Sequence, residues 1–201
     1  MKIYYETPLG RLWHGDCADG LEHVRSVDLC LTDPPYGLGI AANPFRQKFE
    51  KNEWDNKPPE KSIFDMIFNK SSDQIIWGGN FFGLPPSQGF LIWDKVQPES
   101  FSSSMVEFAW ISKQQPAKMF KKRVTNYEKY HPTQKPVDLI IWCMGFYPEA
   151  SLILDPFLGS GTTAVACERL KRKWIGIEIE EKYCEIAAKR IEAERKQLKL
   201  F

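Results

Sequence analysis

The chain has 201 residues, of which 43% are apolar and 26% charged, and its formal net charge is +1. This length and composition predict a single globular domain over residues 1–201 with a substantial core. A nearly neutral chain excludes a uniformly basic nucleic-acid-binding protein, so any contact with DNA must be local.

Cysteine content and hydropathy narrow the class further. The five cysteines form an odd set without a CxxC pair, which favours reduced thiols and argues against a zinc site or a disulfide framework. No apolar segment approaches the roughly 18–20 residues that a membrane-spanning helix needs, and the first residues contain no apolar signal-peptide core. We therefore expect a cytoplasmic protein that binds no metal.

The first predicted elements are a strand over Arg11–His14 and a helix over Ala18–Arg25. Between them, Gly15 frees the backbone at the strand end and Asp16 provides an acceptor. Asp16 could accept a hydrogen bond from an exocyclic amine of adenine, while the Cys17 amide could reach a ring nitrogen. The alternative is that Asp16 only caps the helix.

The next predicted strand, Val27–Leu31, is followed by Asp33-Pro34-Pro35-Tyr36. Two prolines must end the strand, because neither can donate to a sheet ladder. A carboxylate, a fixed carbonyl and an aromatic ring therefore lie together at the carboxyl end of a strand, where ligands bind in open α/β sheets. A simple strand-ending turn is the alternative reading of these four residues.

These groups suit methyl transfer to an exocyclic amine of a nucleobase, whose conjugated lone pair is a poor nucleophile. Asp33 and the Pro34 carbonyl can each accept one N–H and stabilise the positive charge that develops during attack. The prolines hold both acceptors still before the reaction. Tyr36 offers a face for a base taken out of its stack.

The middle of the chain alternates loops with short apolar segments. Residues 37–61 show no persistent period, and we interpret them as a mobile flap beside the site or as a plain surface loop. The predicted elements that follow are a helix over Lys61–Asn69 and strands over Gln74–Trp77, Phe90–Trp93 and Val106–Ile111.

Residues 112–130 are the most basic part of the chain and include interleaved aromatic residues. Basic side chains contact phosphates and aromatic rings stack on bases, so this pattern favours DNA binding over a merely solvated face. The candidate DNA-binding residues are Lys118, Lys121, Lys122 and Arg123.

A helix is predicted from Val137 to about Tyr147, directly after the sequence HPTQKP at residues 131–136. Pro136 suits the first helical position. A helix N-terminus with Lys135 beside it could bind an anion such as a carboxylate. Taken alone, Lys135 could equally face solvent.

The last third of the chain predicts a strand, a glycine turn and a helix. The strand Ser151–Leu154 leads into DPFLGSGTT at residues 155–163, and a helix covers Ala164–Leu170. The glycines let the backbone approach a ligand closely, and the pattern is not the GxGxxG of dinucleotide-binding proteins. A further strand, Lys173–Ile177, ends at Glu178, where an acid can hold both ribose hydroxyls. A charged amphipathic helix follows over Ile179–Phe201.

Several of these segments together resemble the S-adenosylmethionine-dependent amino-methyltransferases of DNA. DPPY is similar to motif IV of that family, Gly15-Asp16 to motif III, HPTQKP to motif X, DPFLGSGTT to motif I and IGIE to motif II. The catalytic motif precedes the donor motif, which is the β-type order. The resemblance covers about residues 10–195.

The resemblance implies a Rossmann-like, doubly wound, mostly parallel sheet of seven strands in circularly permuted order. Its seventh strand is antiparallel, and Val106–Ile111 and Phe90–Trp93 are the two candidates for it. It implies methyl transfer from S-adenosylmethionine to adenine N6 of double-stranded DNA, because the adenine enzymes commonly carry Asp at the first position of motif IV. Cytosine N4 and an idle DNA-binding domain are the alternatives, and a homodimer is possible. The implied catalytic residues are Asp33, Pro34, Pro35 and Tyr36. The implied donor-binding residues are Asp16, Cys17, Asp33, Lys135, Pro136, Asp155, Phe157, Gly159, Ser160, Gly161, Thr162 and Glu178.

Overall fold

The computed structural model describes residues 1–38, 57–101, 103–127, 130 and 133–198. Most of the predicted flap therefore lies outside the described residues, as do His131 and Pro132. The described strands are β1 (Lys2–Glu6), β2 (Gly10–His14), β3 (Val27–Thr32), β4 (Ser71–Trp77), β5 (Phe90–Asp94), β6 (Val106–Ile111), β7 (Lys118–Lys121), β8 (Leu152–Asp155) and β9 (Lys173–Glu178). The described helices are α1 (Cys17–His23), α2 (Lys61–Lys70), α3 (Val137–Met144), α4 (Thr162–Leu170) and α5 (Glu181–Leu198).

All nine of these strands form one sheet in the order β1-β2-β9-β8-β3-β4-β6-β5-β7. The central strands β2, β9, β8, β3 and β4 pair in parallel. β6 runs antiparallel to both of its neighbours, β4 and β5, so Val106–Ile111 is the antiparallel strand that the family resemblance implied. The predicted Rossmann-like class is confirmed.

The strand number differs from the expected seven. β1 pairs with β2 at one edge, and β7 pairs with β5 at the other. β7 lies inside the basic segment that we assigned to DNA contact, where its four residues KMFK gave no recognisable period. Each additional strand satisfies backbone hydrogen bonds of an otherwise open sheet edge.

Helices cover both faces of the sheet, because the crossovers of a parallel sheet place them there. One apolar cluster joins α3, α4 and α5 to one face and includes Leu29, Leu31, Ile75 and Trp77. The other cluster joins α1 and α2 to the opposite face and includes Cys30. Alternate residues of β3 thus point to different cores, which explains why this strand is apolar almost throughout. Within the described residues, no helix is both long enough and apolar enough to cross a membrane.

The topology places the predicted site residues at one edge of the sheet. β3, β8 and β9 are adjacent and parallel, so Asp33, Asp155 and Glu178 all lie at carboxyl ends. From β8 the chain proceeds to β9 on one side, and from β3 it proceeds to β4 on the other. The crevice between β8 and β3 is therefore a topological switch point, where ligands bind in open α/β sheets.

Gly161 provides a test of how the turn before α4 is held. Its φ is +83°, and an added Cβ would lie 2.8 Å from Cβ and 3.0 Å from Cα of Ala187 in α5. We expect Gly161→Ala to lower the free energy of unfolding by roughly 1–3 kcal/mol, because strain and a backbone clash add together. Urea unfolding without any ligand measures this change.

Gly83→Ala is the matched control, since nothing lies within 4 Å of the Cβ that it would add. We expect it to change stability by less than about 0.5 kcal/mol. Equal stabilities for the two variants would contradict the close packing of Gly161 against α5.

Candidate active site

The glycine turn after β8 brings backbone close to a cavity. Gly159 has φ +55° and Gly161 has φ +83°, values that favour glycine. The Gly159 N–H donates to Oε2 of Glu178 over 2.7 Å. The turn is thereby fixed to the end of the neighbouring strand β9.

Asp155 holds the same turn to β3. Its carboxylate accepts hydrogen bonds from the Thr32 hydroxyl (2.7 Å), the Thr163 hydroxyl (2.6 Å) and the Phe157 N–H (3.1 Å). Burial raises the pKa of Asp155 to about 6, and these hydrogen bonds offset only part of that effect. Asp155 therefore acts chiefly by connecting the end of β8 and the glycine turn to β3.

Glu178 is the second buried carboxylate beside the glycine turn, with 8% of its surface exposed. Besides Gly159 it accepts the Glu180 N–H over 2.8 Å. Burial raises the pKa of Glu178 to about 7. A carboxylate has about four acceptor positions, so two backbone donors leave capacity for the hydroxyls of a ribose.

Asp16 and Cys17 lie at the end of β2, next to β9. Oδ1 of Asp16 accepts the Ala18 N–H over 2.7 Å and caps α1, so the capping alternative describes the structure. Both residues also line the cavity described below, which keeps them available to a ligand. Burial raises the pKa of the Cys17 thiol to about 12, so the thiol is neutral.

The DPPY segment forms a compact group directly after β3. The Tyr36 hydroxyl donates to Oδ1 of Asp33 over 2.6 Å. The Tyr36 ring lies against Gly78, where an added Cβ would come within 2.2 Å of it. The Phe81 ring stacks on Tyr36 with a centroid distance of 5.0 Å and an angle of 24°. A base that stacks on Tyr36 must therefore use its other face or displace Phe81.

Lys135 is the cation of the site and is 4% exposed. Its ammonium lies 2.5 Å from Oδ2 of Asp33, 3.0 Å from Oε2 of Glu107 and 3.3 Å from the Tyr36 hydroxyl. The sequence pattern favoured a contact with an anionic ligand, whereas the structure pairs Lys135 with two carboxylates of the protein. A ligand carboxylate near Lys135 would have to compete with both.

The charge states in this group follow from burial and ion pairing. Burial raises the pKa of Asp33, and Lys135 reverses only part of that rise. Burial alone would lower the pKa of Lys135, but Asp33 and Glu107 together raise it. Burial would also raise the pKa of Glu107, but Lys135 and Lys95 outweigh it and hold the pKa at about 2.

A cavity of about 360 Å³ joins the glycine turn to Asp33. Trp77, Gln134 and Tyr183 are among its walls although sequence reasoning did not select them. The selected residues that line it are Asp16, Cys17, Asp33, Pro35, Lys135, Asp155, Phe157, Gly159, Ser160, Thr162 and Glu178. Four other selected residues do not line the cavity: Pro34, Tyr36, Pro136 and Gly161.

Arg190 of α5 is a further residue that sequence reasoning missed. Its guanidinium donates to the carbonyl oxygen (2.5 Å) and the hydroxyl (2.9 Å) of Ser160. It also lies 5.1 Å from the ring centroid of Tyr130. The amphipathic pattern of the last helix assigned no function to this position, since the contact spans 30 residues.

Three candidate DNA-binding residues, Lys121, Lys122 and Arg123, lie at the carboxyl end of β7 or directly after it, whereas Lys118 is the first residue of this strand. β7 is parallel to β5, and β5 runs parallel to β3, so this end belongs to the same edge of the sheet as Asp33. Lys118, Lys121 and Arg123 are exposed. Lys121 forms a long ion pair with Asp94 (3.8 Å). Lys122 pairs with Asp138 of α3 and is only partly exposed, which makes it the least available of the four.

A family model described as DNA methylase matches residues 76–189. The type II methyltransferase M2.DpnII of Streptococcus pneumoniae is 31% identical, with 96% of this chain and 93% of the relative covered. M2.MboI of Moraxella bovis is 28% identical, with 94% and 91% covered. The first alignment runs over 252 positions, more than the 201 residues here, so that relative contains internal residues that this chain lacks.

Solved structures agree with these matches. The M1.HpyAVI–SAM complex superposes with a TM-score of 0.61 at 25% identity, covering 90% of this chain and 98% of the other. The PvuII cytosine-N4-specific DNA methyltransferase superposes with a TM-score of 0.66 at 18% identity, covering 98% and 95%, and supports the fold alone. Sequence, fold and site geometry together establish that the chain belongs to the DNA methylase family of S-adenosylmethionine-dependent amino-methyltransferases.

Proposed function

We propose that this protein transfers a methyl group from S-adenosylmethionine to adenine N6 in double-stranded DNA. One observation carries the proposal: Asp33 of DPPY and the glycine turn with Glu178 line the same cavity. The similar M1.HpyAVI is described as a complex with S-adenosylmethionine, and similar relatives are named type II methyltransferases. Asp at the first position of DPPY favours adenine over cytosine.

The residues around the cavity fit the donor. Glu178 would accept hydrogen bonds from the two ribose hydroxyls, and Asp16 would accept one from the amine of the donor's adenine. The main chain of the glycine turn would lie against the donor. The N-terminus of α3 beside Lys135 would attract the donor's carboxylate. When bound, S-adenosylmethionine supplies an electrophilic methyl group on a sulfonium.

Asp33 and Pro34 would perform the chemistry on the target base. Oδ1 or Oδ2 of Asp33 and the carbonyl of Pro34 each accept one N–H of the N6 amine, which directs its lone pair toward the methyl carbon. Asp33 also balances the positive charge that grows on nitrogen as the bond forms. The proton leaves the product ammonium afterwards, so Asp33 need not remove it before attack.

The DNA would approach the edge of the sheet that carries both Asp33 and the basic end of β7. Lys121 and Arg123 would meet phosphates there, and Lys118 would meet DNA that extends along β7. Because M2.DpnII contains internal residues that this chain lacks, base recognition here would rest on a short segment or on a second subunit.

The five thiols, all free, suit the reducing cytoplasm in which such an enzyme would meet DNA.

The test of the function uses unmodified double-stranded DNA with S-adenosylmethionine, and mass spectrometry of the hydrolysed nucleosides. We expect N6-methyladenine. We expect Asp33→Asn to lower kcat by about 10³-fold or more while donor affinity by isothermal titration changes less than threefold, because the amide loses an acceptor for the reacting amine. N4-methylcytosine as the product would contradict the choice of base, and wild-type turnover by the variant would contradict the role of Asp33.

Donor affinity should depend on pH through Glu178. Its pKa of about 7 in the free protein means that the carboxylate, which accepts both hydroxyls, is largely protonated below pH 7. Affinity should therefore rise from pH 6 to 8 and level off above the pKa. Glu178→Gln should weaken donor binding by about 10–100-fold at pH 8 and remove this dependence. Isothermal titrations at pH 6, 7 and 8 measure both effects.

Glu181→Gln, an exposed position at the start of α5, is the control and should keep the wild-type curve. An unchanged pH dependence in Glu178→Gln would show that another group titrates.

The basic end of β7 should contribute to DNA affinity through phosphate contacts. We expect Lys121→Gln combined with Arg123→Gln to weaken DNA binding and to make the slope of log K against log[salt] shallower by up to about 2. Fluorescence anisotropy from 50 to 300 mM salt measures the slope. Lys171→Gln combined with Lys173→Gln, at the opposite edge of the sheet, is the charge-matched control, and equal slopes for both sets would place the DNA elsewhere.

A further inference from the structure

Four side chains of alternating charge form a continuous row that ends at Asp33. Asp33 and Lys135 are 2.5 Å apart, Lys135 and Glu107 are 3.0 Å apart, and Glu107 and Lys95 are 2.6 Å apart. The row is largely buried: the exposed fraction of the side chain is 24% for Asp33, 4% for Lys135, 23% for Glu107 and 13% for Lys95. Its formal charges cancel.

Glu107 occupies a central position in this row although it belongs to no sequence motif of the site. It lies in β6, the antiparallel strand, opposite Trp93 of β5. Aromatic rings flank both of its cationic partners: Lys135 lies 5.2 Å from the ring centroid of Trp77, and Lys95 lies 5.6 Å from that of Trp93. Each ammonium thus has an aromatic contact in addition to its ion pairing.

We propose that Glu107 is a positioning residue for methyl transfer, because it shares the Lys135 ammonium with Asp33 and so limits how tightly Asp33 is held. This inference rests on the proposed function. With Glu107 charged, Lys135 divides its hydrogen bonds between two acceptors. Without that charge, Lys135 pairs with Asp33 alone, and the Asp33 carboxylate becomes a weaker acceptor for the N–H of the target amine.

The proposal predicts how the pKa of Asp33 changes when its charged neighbours are replaced. The groups that act on it from the surrounding elements are Lys135, Glu107 and its own neighbour Tyr36, with Asp155 and Tyr127 also within electrostatic range. Burial raises the pKa of Asp33, Lys135 opposes that rise and the like charge of Glu107 adds to it. Removing the charge of Glu107 should therefore lower the pKa of Asp33, whereas removing Lys135 should raise it.

The experiment measures kcat against pH for Glu107→Gln, Lys135→Met and the double variant. For Glu107→Gln we expect a plateau kcat about tenfold below wild type, a donor KM within twofold of wild type, and an acid limb displaced to lower pH. For Lys135→Met we expect the acid limb at higher pH. In the Lys135→Met background, adding Glu107→Gln should leave the plateau kcat within twofold, because Glu107 then has no ammonium to share.

Lys95→Met provides a second test of the proposal if Glu107→Gln does not fold. It frees Glu107 to draw Lys135 away from Asp33, so the acid limb should move to higher pH. Glu185→Gln, which breaks the exposed pair with Lys189 on α5, is the control and should match wild type. A wild-type plateau and acid limb in Glu107→Gln would overturn the proposal, as would an equal loss of kcat in both backgrounds.

The carboxyl 13C signal of Asp33, followed by NMR against pH, reports the same ionisation without turnover. If wild-type protein methylates no DNA, the proposed function fails, while opposite displacements of the Asp33 titration in Glu107→Gln and Lys135→Met would still support the shared ammonium. If the wild type is active and the Asp33 titration is the same in all variants, the positioning role fails alone.

Discussion

The ion pair between Asp33 and Lys135 is the constraint on which this site depends. It joins two segments that are 102 residues apart in sequence, one at the end of β3 and the other before α3. A lysine with 4% exposure requires compensating negative charge, and the site supplies it from Asp33 and Glu107. Because the end of β3, strand β6 and the start of α3 must converge on one ammonium, the pair fixes where the Asp33 carboxylate lies relative to the glycine turn.

The parts of the site that sequence reasoning located are those set by local backbone chemistry. Two prolines end β3 directly after Asp33, and glycines shape the turn before α4. Parallel strands then bring these ends to one edge without any further information. For the same reason Glu178 could be assigned to the donor side from its distance along the chain, and the antiparallel strand at Val106–Ile111 was one of two expected positions.

The parts that were missed depend on which residues face one another across the fold. Glu107 of β6 reaches Lys135 only because the fold brings β6 next to the segment before α3, and Arg190 reaches Ser160 only because α5 packs on the turn. Neither position differs from an ordinary charged residue in its local pattern. The edge strands β1 and β7 were missed because five and four residues carry too little periodicity.

The packing of α5 against the glycine turn has a consequence for the order of events during protein synthesis. Ala187 packs against Gly161, and Arg190 donates to Ser160, so the glycine turn is supported by a helix that is translated after both DPPY and the turn itself. A nascent chain that already exposes DPPY outside the ribosome would still lack this support. The order of the motifs along the chain therefore places the completion of the glycine turn after the synthesis of the DPPY segment.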